Sequence, residues 1–191
     1  MNNIFKDTSK LTFMGVMLAL TIIFVMITAM PNITFSMAVV MFIPTILTGI
    51  ILGPAAGGIM GFFAGMSTLL RALLLPVSPT DVFFINPLVS VIPRVLVGIA
   101  AYYVFILVSK ITKQNTIASS FAGAISMFIN TIGVIGMLYI VFGQTMVDTM
   151  GSGFVAALGA IFLSNGIIEM TVALIVVPIV YSAYTRYLKM R

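Results

Sequence analysis

The sequence predicts an all-α integral membrane protein, a single domain over residues 1–191 made of six transmembrane helices with both termini cytoplasmic. Three observations predict it. Hydrophobic residues make up 61% of the chain and charged ones 7%, against roughly a quarter charged in an average soluble domain. Nine basic and four acidic side chains do not cover a water-facing surface of this size, so the natural solvent is lipid. The apolar runs are of helical length, about 20 residues per span, and they lack the ten-residue alternation of a membrane barrel. The basic residues gather on one side of the predicted spans, as cytoplasmic loops require.

The first run, at roughly 12–30, is too long for a signal-peptide core and is followed at once by further spans, so it is kept as a helix. The second, at roughly 37–52, is short for a span. The third, at roughly 54–75, carries Gly57, Gly61 and Gly65 every fourth residue, the spacing of close helix packing. The fourth and fifth lie at roughly 87–109 and 116–141. The sixth, at roughly 153–185, is long enough to tilt or to extend into water. With the N-terminus inside, Lys6, Lys10, Lys110, Lys113, Arg186, Lys189 and Arg191 are all cytoplasmic, while Asp81 and Asp148 fall in outside loops. No internal repeat or low-complexity segment stands out.

Composition also excludes chemistry. There is no cysteine and no histidine, which removes disulfides, thiolates and the commonest general base and metal ligand. Asp7, Asp81, Asp148 and Glu169 are scattered, with neither paired-carboxylate nor metal-ligand spacing. No catalytic residue, metal site or cofactor is expected. The phosphate-loop pattern is absent, so ATP is not hydrolysed by that route. The net charge of +5 sits at helix ends and not in a patch interleaved with aromatics, so nucleic acid is not an expected partner.

Three charged side chains fall within spans, where an ionisable group costs at least a few kcal/mol and faces the bundle interior or a wet cavity. Arg71 lies near the outer end of the third span, and snorkelling to the headgroups is its alternative. Arg94 is seven residues into the fourth span, a depth of roughly 10 Å on a 1.5 Å rise, which favours a ligand or an ion pair. Glu169 is near the middle of the sixth span and shares a face with Asn165, one turn earlier; a protonated structural carboxyl is the alternative. Asn130, midway along the fifth span, matches Asn165 in depth. Together these groups predict one polar pocket opening outward, with Asn86 and Asp81 as its lid. Gly15 and Ala19 form a small-residue pair on the first helix, read either as internal packing or as a surface for another membrane protein.

The stretch from Ile43 to Val104 carries "LGP" ahead of a glycine-spaced helix, a serine–proline loop before "NPLVS", and then "IPRVLVG", with "FINTIGVIGMLYIVFG" further on. It resembles the substrate-binding S-components of energy-coupling factor (ECF) transporters, nearest the pantothenate group. The resemblance implies a subunit of the bacterial cell membrane that binds one vitamin near the outer side, through spans four to six and the outside loops. It implies association with a transmembrane coupling subunit and two cytoplasmic ATPases, which power transport. In such proteins a small-residue pair on the first helix docks on the coupling subunit, and here it reads Gly15-x-x-x-Ala19. For pantothenate, Arg94 or Arg71 meets the carboxylate, and Asn130 and Asn165 meet the amide and hydroxyls. The alternatives are an S-component for another vitamin or precursor such as hydroxymethylpyrimidine, and a proton-coupled secondary transporter that uses Glu169 as relay, against which the lack of inverted repeats counts.

Overall fold

A computed structural model of the protein describes residues 7–29, 39–77, 80–150, 159–160 and 166–190, and of these the side chains outside 144–150 and 188–190. Among the described residues the chain is helical, with no strand. The elements are α1 (Thr8–Ile27), α2 (Val39–Leu52), α3 (Pro54–Leu74), the short α4 (Asp81–Phe84) and α5 (Pro87–Ser90), α6 (Ile92–Thr112), α7 (Asn115–Met150) and α8 (Ile167–Met190). Five helical segments are long and apolar enough to cross a membrane: α1, α3, α5 with α6, α7 and α8; α2 is a shorter apolar helix.

Local chemistry sets the boundaries. The α1 helix starts before the predicted span because Asp7 caps it, its carboxylate accepting from the amides of Ser9 at 3.1 Å and Lys10 at 3.4 Å. The turn from α2 to α3 is a single residue, Gly53, whose φ of 103° is open to glycine and costly for other residues; Pro54 then starts α3 with a preset φ. The α7 helix runs nine residues past the predicted end at 141. The predicted start of the sixth span, at 153, lies outside the described residues.

The core is the junction of α2, α6, α7 and α8, filled by Phe42, Ile46, Leu47, Val97, Ala101, Met127, Ala173 and Val177. The α3 helix joins α6 along the glycine stripe with almost nothing between the backbones. A methyl group on Gly57 or Gly98 would overlap the other residue's backbone, one on Gly61 would sit 2.8 Å from Val95 Cα, and one on Gly65 would sit 2.7 Å from Val91 Cα. The stripe is therefore a packing seam, as its spacing predicts. Phe62, Phe63, Leu70 and Leu73 on α3, like Leu11, Val16 and Ile23 on α1, stay exposed on the outer faces, where lipid solvates them.

Candidate functional site

The glycine seam holds the backbone of Arg94 against Gly61 and so fixes where the Arg94 side chain starts. That side chain is 4% exposed. Its Nη1 donates to the Val89 carbonyl at 2.8 Å, and its guanidinium lies 5.2 Å from the ring centre of Phe84 and 5.8 Å from that of Phe42. Aromatic faces on two sides stabilise the cation without neutralising it. The Nε–H has no hydrogen-bond partner among the described residues.

Helix register sets the other polar groups around it. Gly133 of α7 packs on Pro93, so Asn130, one turn along the same face, lies level with the first turns of α6. Gly123 packs on Ala173 and Val177 of α8, which brings Glu169 to the level of Asn130. On α2, Thr45 sits between Phe42, which faces Arg94, and Gly49, which packs on Gly98. Asn130 and Glu169 are each 6% exposed. Arg94 and Glu169 act on each other electrostatically but form no direct ion pair among the described residues. Among the described residues, Thr45 Oγ1, Ser126 Oγ and Asn130 Oδ1 are buried without a hydrogen-bond partner, as Arg94 Nε is. An unmatched buried polar atom costs about 1–3 kcal/mol, so four around one interior region call for a function.

The remaining sequence-predicted residues are placed differently. Arg71 does not snorkel: it is buried on α3 and ion-paired to Asp81 of α4, which also accepts from the Val77 amide at 2.8 Å. Asn86 caps α5, its side-chain oxygen accepting from the Leu88 amide at 2.9 Å. The α4 helix is thus tied three ways: to α3 through Asp81, to α6 through Phe84 on Arg94, and to α7 through Phe83 on Phe142, with ring centres 5.3 Å apart. It closes the end of the bundle that Arg94 reaches toward. Asn165 lies outside the described residues. Gly15 and Ala19 are exposed on α1, and a Cβ at Gly15 would meet nothing within 4 Å, so they are not an internal packing pair. Sequence reasoning missed Thr45 and Ser126 as well as the flanking Phe42 and Phe84; buried hydroxyls in apolar helices carry no signal until their partners are known. A groove of about 480 Å³ between the start of α7 and the end of α8, lined by Thr116, Ser120, Ser182 and Arg186 among others, shares no residue with this cluster.

Membrane-length helices that bury a cation, with further buried polar atoms on neighbouring helices unmatched among the described residues, define a multi-pass membrane protein with a buried polar site. Comparison with known proteins identifies which kind. The family model for the ECF transporter substrate-specific component matches residues 9–181, and the chain belongs to that family, as the sequence resemblance implies. It is a multi-pass protein of the bacterial membrane. It is 35% identical over 109 residues to the pantothenate transporter PanT of Leuconostoc mesenteroides subsp. mesenteroides, covering 56% of this chain and 52% of that one. It is 27% identical over 158 residues to the pantothenic acid transporter PanT of Lactococcus lactis subsp. cremoris, covering 75% and 76%. The match thus spans about half the length of the first relative and three quarters of the second.

Proposed function

We propose that this protein is the substrate-binding subunit of an ECF-type ABC transporter for vitamin uptake, that its substrate is pantothenate, and that the cluster around Arg94 binds it. The observation that carries this reading is the buried guanidinium that, among the described residues, forms no ion pair and has an Nε–H without a partner. A dehydrated carboxylate needs a fixed cation, and with Nη1 held by Val89 the Nε edge is left to grip one. Asn130, Glu169 and Asn165 would bind the amide and hydroxyls, and Phe42 and Phe84 would line the apolar centre. Two relatives named for pantothenate support the choice of vitamin. Arg71, Asp81 and Asn86 serve this site as the clasp and cap of the segment over Arg94, on the outer side.

In this reading six spans place both termini in the cytoplasm. The exposed Gly15–Ala19 face docks on the coupling subunit, and two ATPase subunits supply the energy. Its outward position supports docking over internal packing. The deciding experiment is calorimetry of the purified protein against a vitamin panel. Pantothenate is expected to bind and hydroxymethylpyrimidine, which has no carboxylate, is not; the reverse result sinks the assignment. Uptake by vesicles carrying this chain alone, driven by a proton gradient, would instead select the Glu169 relay.

A further inference from the structure

Among the described residues, most buried hydroxyls share one habit, and Thr45 and Ser126 break it without finding another partner. Thr21, Thr48, Thr68 and Thr131 each donate to the carbonyl four residues earlier in their own helix, at 2.7–3.1 Å, and Ser119 to the carbonyl three residues earlier, at 2.8 Å. Ser90 is satisfied differently, donating to the Phe84 carbonyl of the preceding short helix. Back-bonding within a helix is the default that satisfies a hydroxyl in an apolar helix. Thr45 and Ser126 are fully buried, at 0% exposure, and have no hydrogen-bond partner among the described residues. Thr45 lies between Phe42 and Gly49 on the face of α2 that meets α6. Ser126 lies one turn deeper than Asn130 on the face of α7 whose Gly133 meets Pro93. Both hydroxyls therefore lie inward of the guanidinium, Ser126 by about two helical turns from the Gly133 level, roughly 10 Å on a 1.5 Å rise.

We propose that Thr45 and Ser126 are specificity-determining residues, which hydrogen-bond the uncharged polar groups of an elongated acid whose carboxylate is held at Arg94. The inference rests on the reading of the Arg94 cluster as the binding site and adds how that site tells one acid from another. A cation alone accepts any carboxylate. A site whose buried hydroxyls are left unmatched by the wrong ligand rejects that ligand strongly. Leaving the back-bonded rotamer would be the cost of selectivity, recovered only when a ligand with matching groups is bound.

The test is calorimetry on the full-length purified protein, wild type against Thr45→Val and Ser126→Ala, with pantothenate and with two analogues that each lack one of its hydroxyls. Wild type is expected to prefer pantothenate. Each variant is expected to lose about 5- to 100-fold in affinity for pantothenate, and at least one is expected to bind a deoxy analogue as well as it binds pantothenate. Thr45→Ser, which keeps the hydroxyl, should retain wild-type preference. Variants that keep both affinity and preference overturn the inference, and so does an equal loss for all three ligands, which marks a structural role. Ligand-free unfolding temperatures check folding, and Ser126→Ala tests the proposal independently if Thr45→Val does not fold. If the wild type binds no carboxylate in the panel, the underlying site assignment fails; if it binds and the variants do not differ from it, this inference alone fails.

Discussion

Two buried arginines, 23 positions apart by their numbers, Arg71 and Arg94, sit in opposite electrostatic circumstances. Arg71 meets Asp81, and Asp81 is further held by the Val77 amide. Among the described residues Arg94 meets the Val89 carbonyl and the rings of Phe42 and Phe84, forms no direct ion pair, and leaves its Nε–H unmatched. A charge matched within the chain organises structure, whereas a charge the fold buries and leaves partly unmet is available to something else. Removing each arginine in turn is therefore expected to move different observables.

Arg71→Ala is expected to cost the most. It removes the ion-pair partner of the buried Asp81 carboxylate, a loss worth about 3–5 kcal/mol. Thermal unfolding in detergent should drop strongly for Arg71→Ala and much less for Arg71→Met combined with Asp81→Leu. A double variant as unstable as the single would break the clasp reading. Arg94→Ala is expected to leave the unfolding temperature closer to wild type and to cost about 2–5 kcal/mol in binding, roughly 30-fold to several thousand-fold, with Arg94→Lys in between because an ammonium lacks the two-pronged grip. Unchanged affinity in Arg94→Ala would equate the two arginines and remove the contrast. Because Glu169 is electrostatically coupled to Arg94, Glu169→Gln alone and combined with Arg94→Ala separates ligand binding from mutual support.

Gly61→Ala probes the link between seam and site. Its methyl group would press on Val95 Cα at 2.8 Å, an overpacking cost of about 1–3 kcal/mol, and by displacing the Arg94 backbone it should weaken binding too. Stability lost with affinity untouched would mean that the seam does not position the arginine. The smallest effect is expected at Asp7. The side-chain hydrogen bond with Lys10, and then that with the Lys10 amide, hold its carboxyl below the ordinary value. A lowered folded-state pKa means that the cap is fully formed above the ordinary carboxylate range and is lost as pH falls through the lowered value. Amide signals of Ser9 and Lys10 should report this titration and lose it in Asp7→Asn.

Much of the fold was legible because hydropathy and length dictate membrane helices whatever their neighbours do. Arg94, Asn130 and Glu169 were legible because a polar group at membrane depth is conspicuous in itself. The structure places all three in the interior. What was not legible depends on partners distant in sequence or on local caps. The pairing of Arg71 with Asp81, ten residues on, needs the chain to turn back through α4, whose four residues are too few to show a helical period. The early start of α1 depends on one aspartate outside the apolar window. Thr45 and Ser126 look, in sequence, like Thr48 and Thr131; only the direction of a hydroxyl separates them.

The near absence of side chains between α3 and α6 has a mechanical meaning. Interfaces built from long side chains yield, because rotamers re-sort when helices slide; a backbone laid directly on a backbone has no such compliance. The α3–α6 pair is a stiff strut, with the Arg71 clasp on one member and Arg94 on the other. Under the proposed function, any breathing that admits and releases a ligand is expected between this pair and α8. Spin labels across α3 and α6 are expected to keep one distance with and without ligand, while labels between α6 and α8 shift.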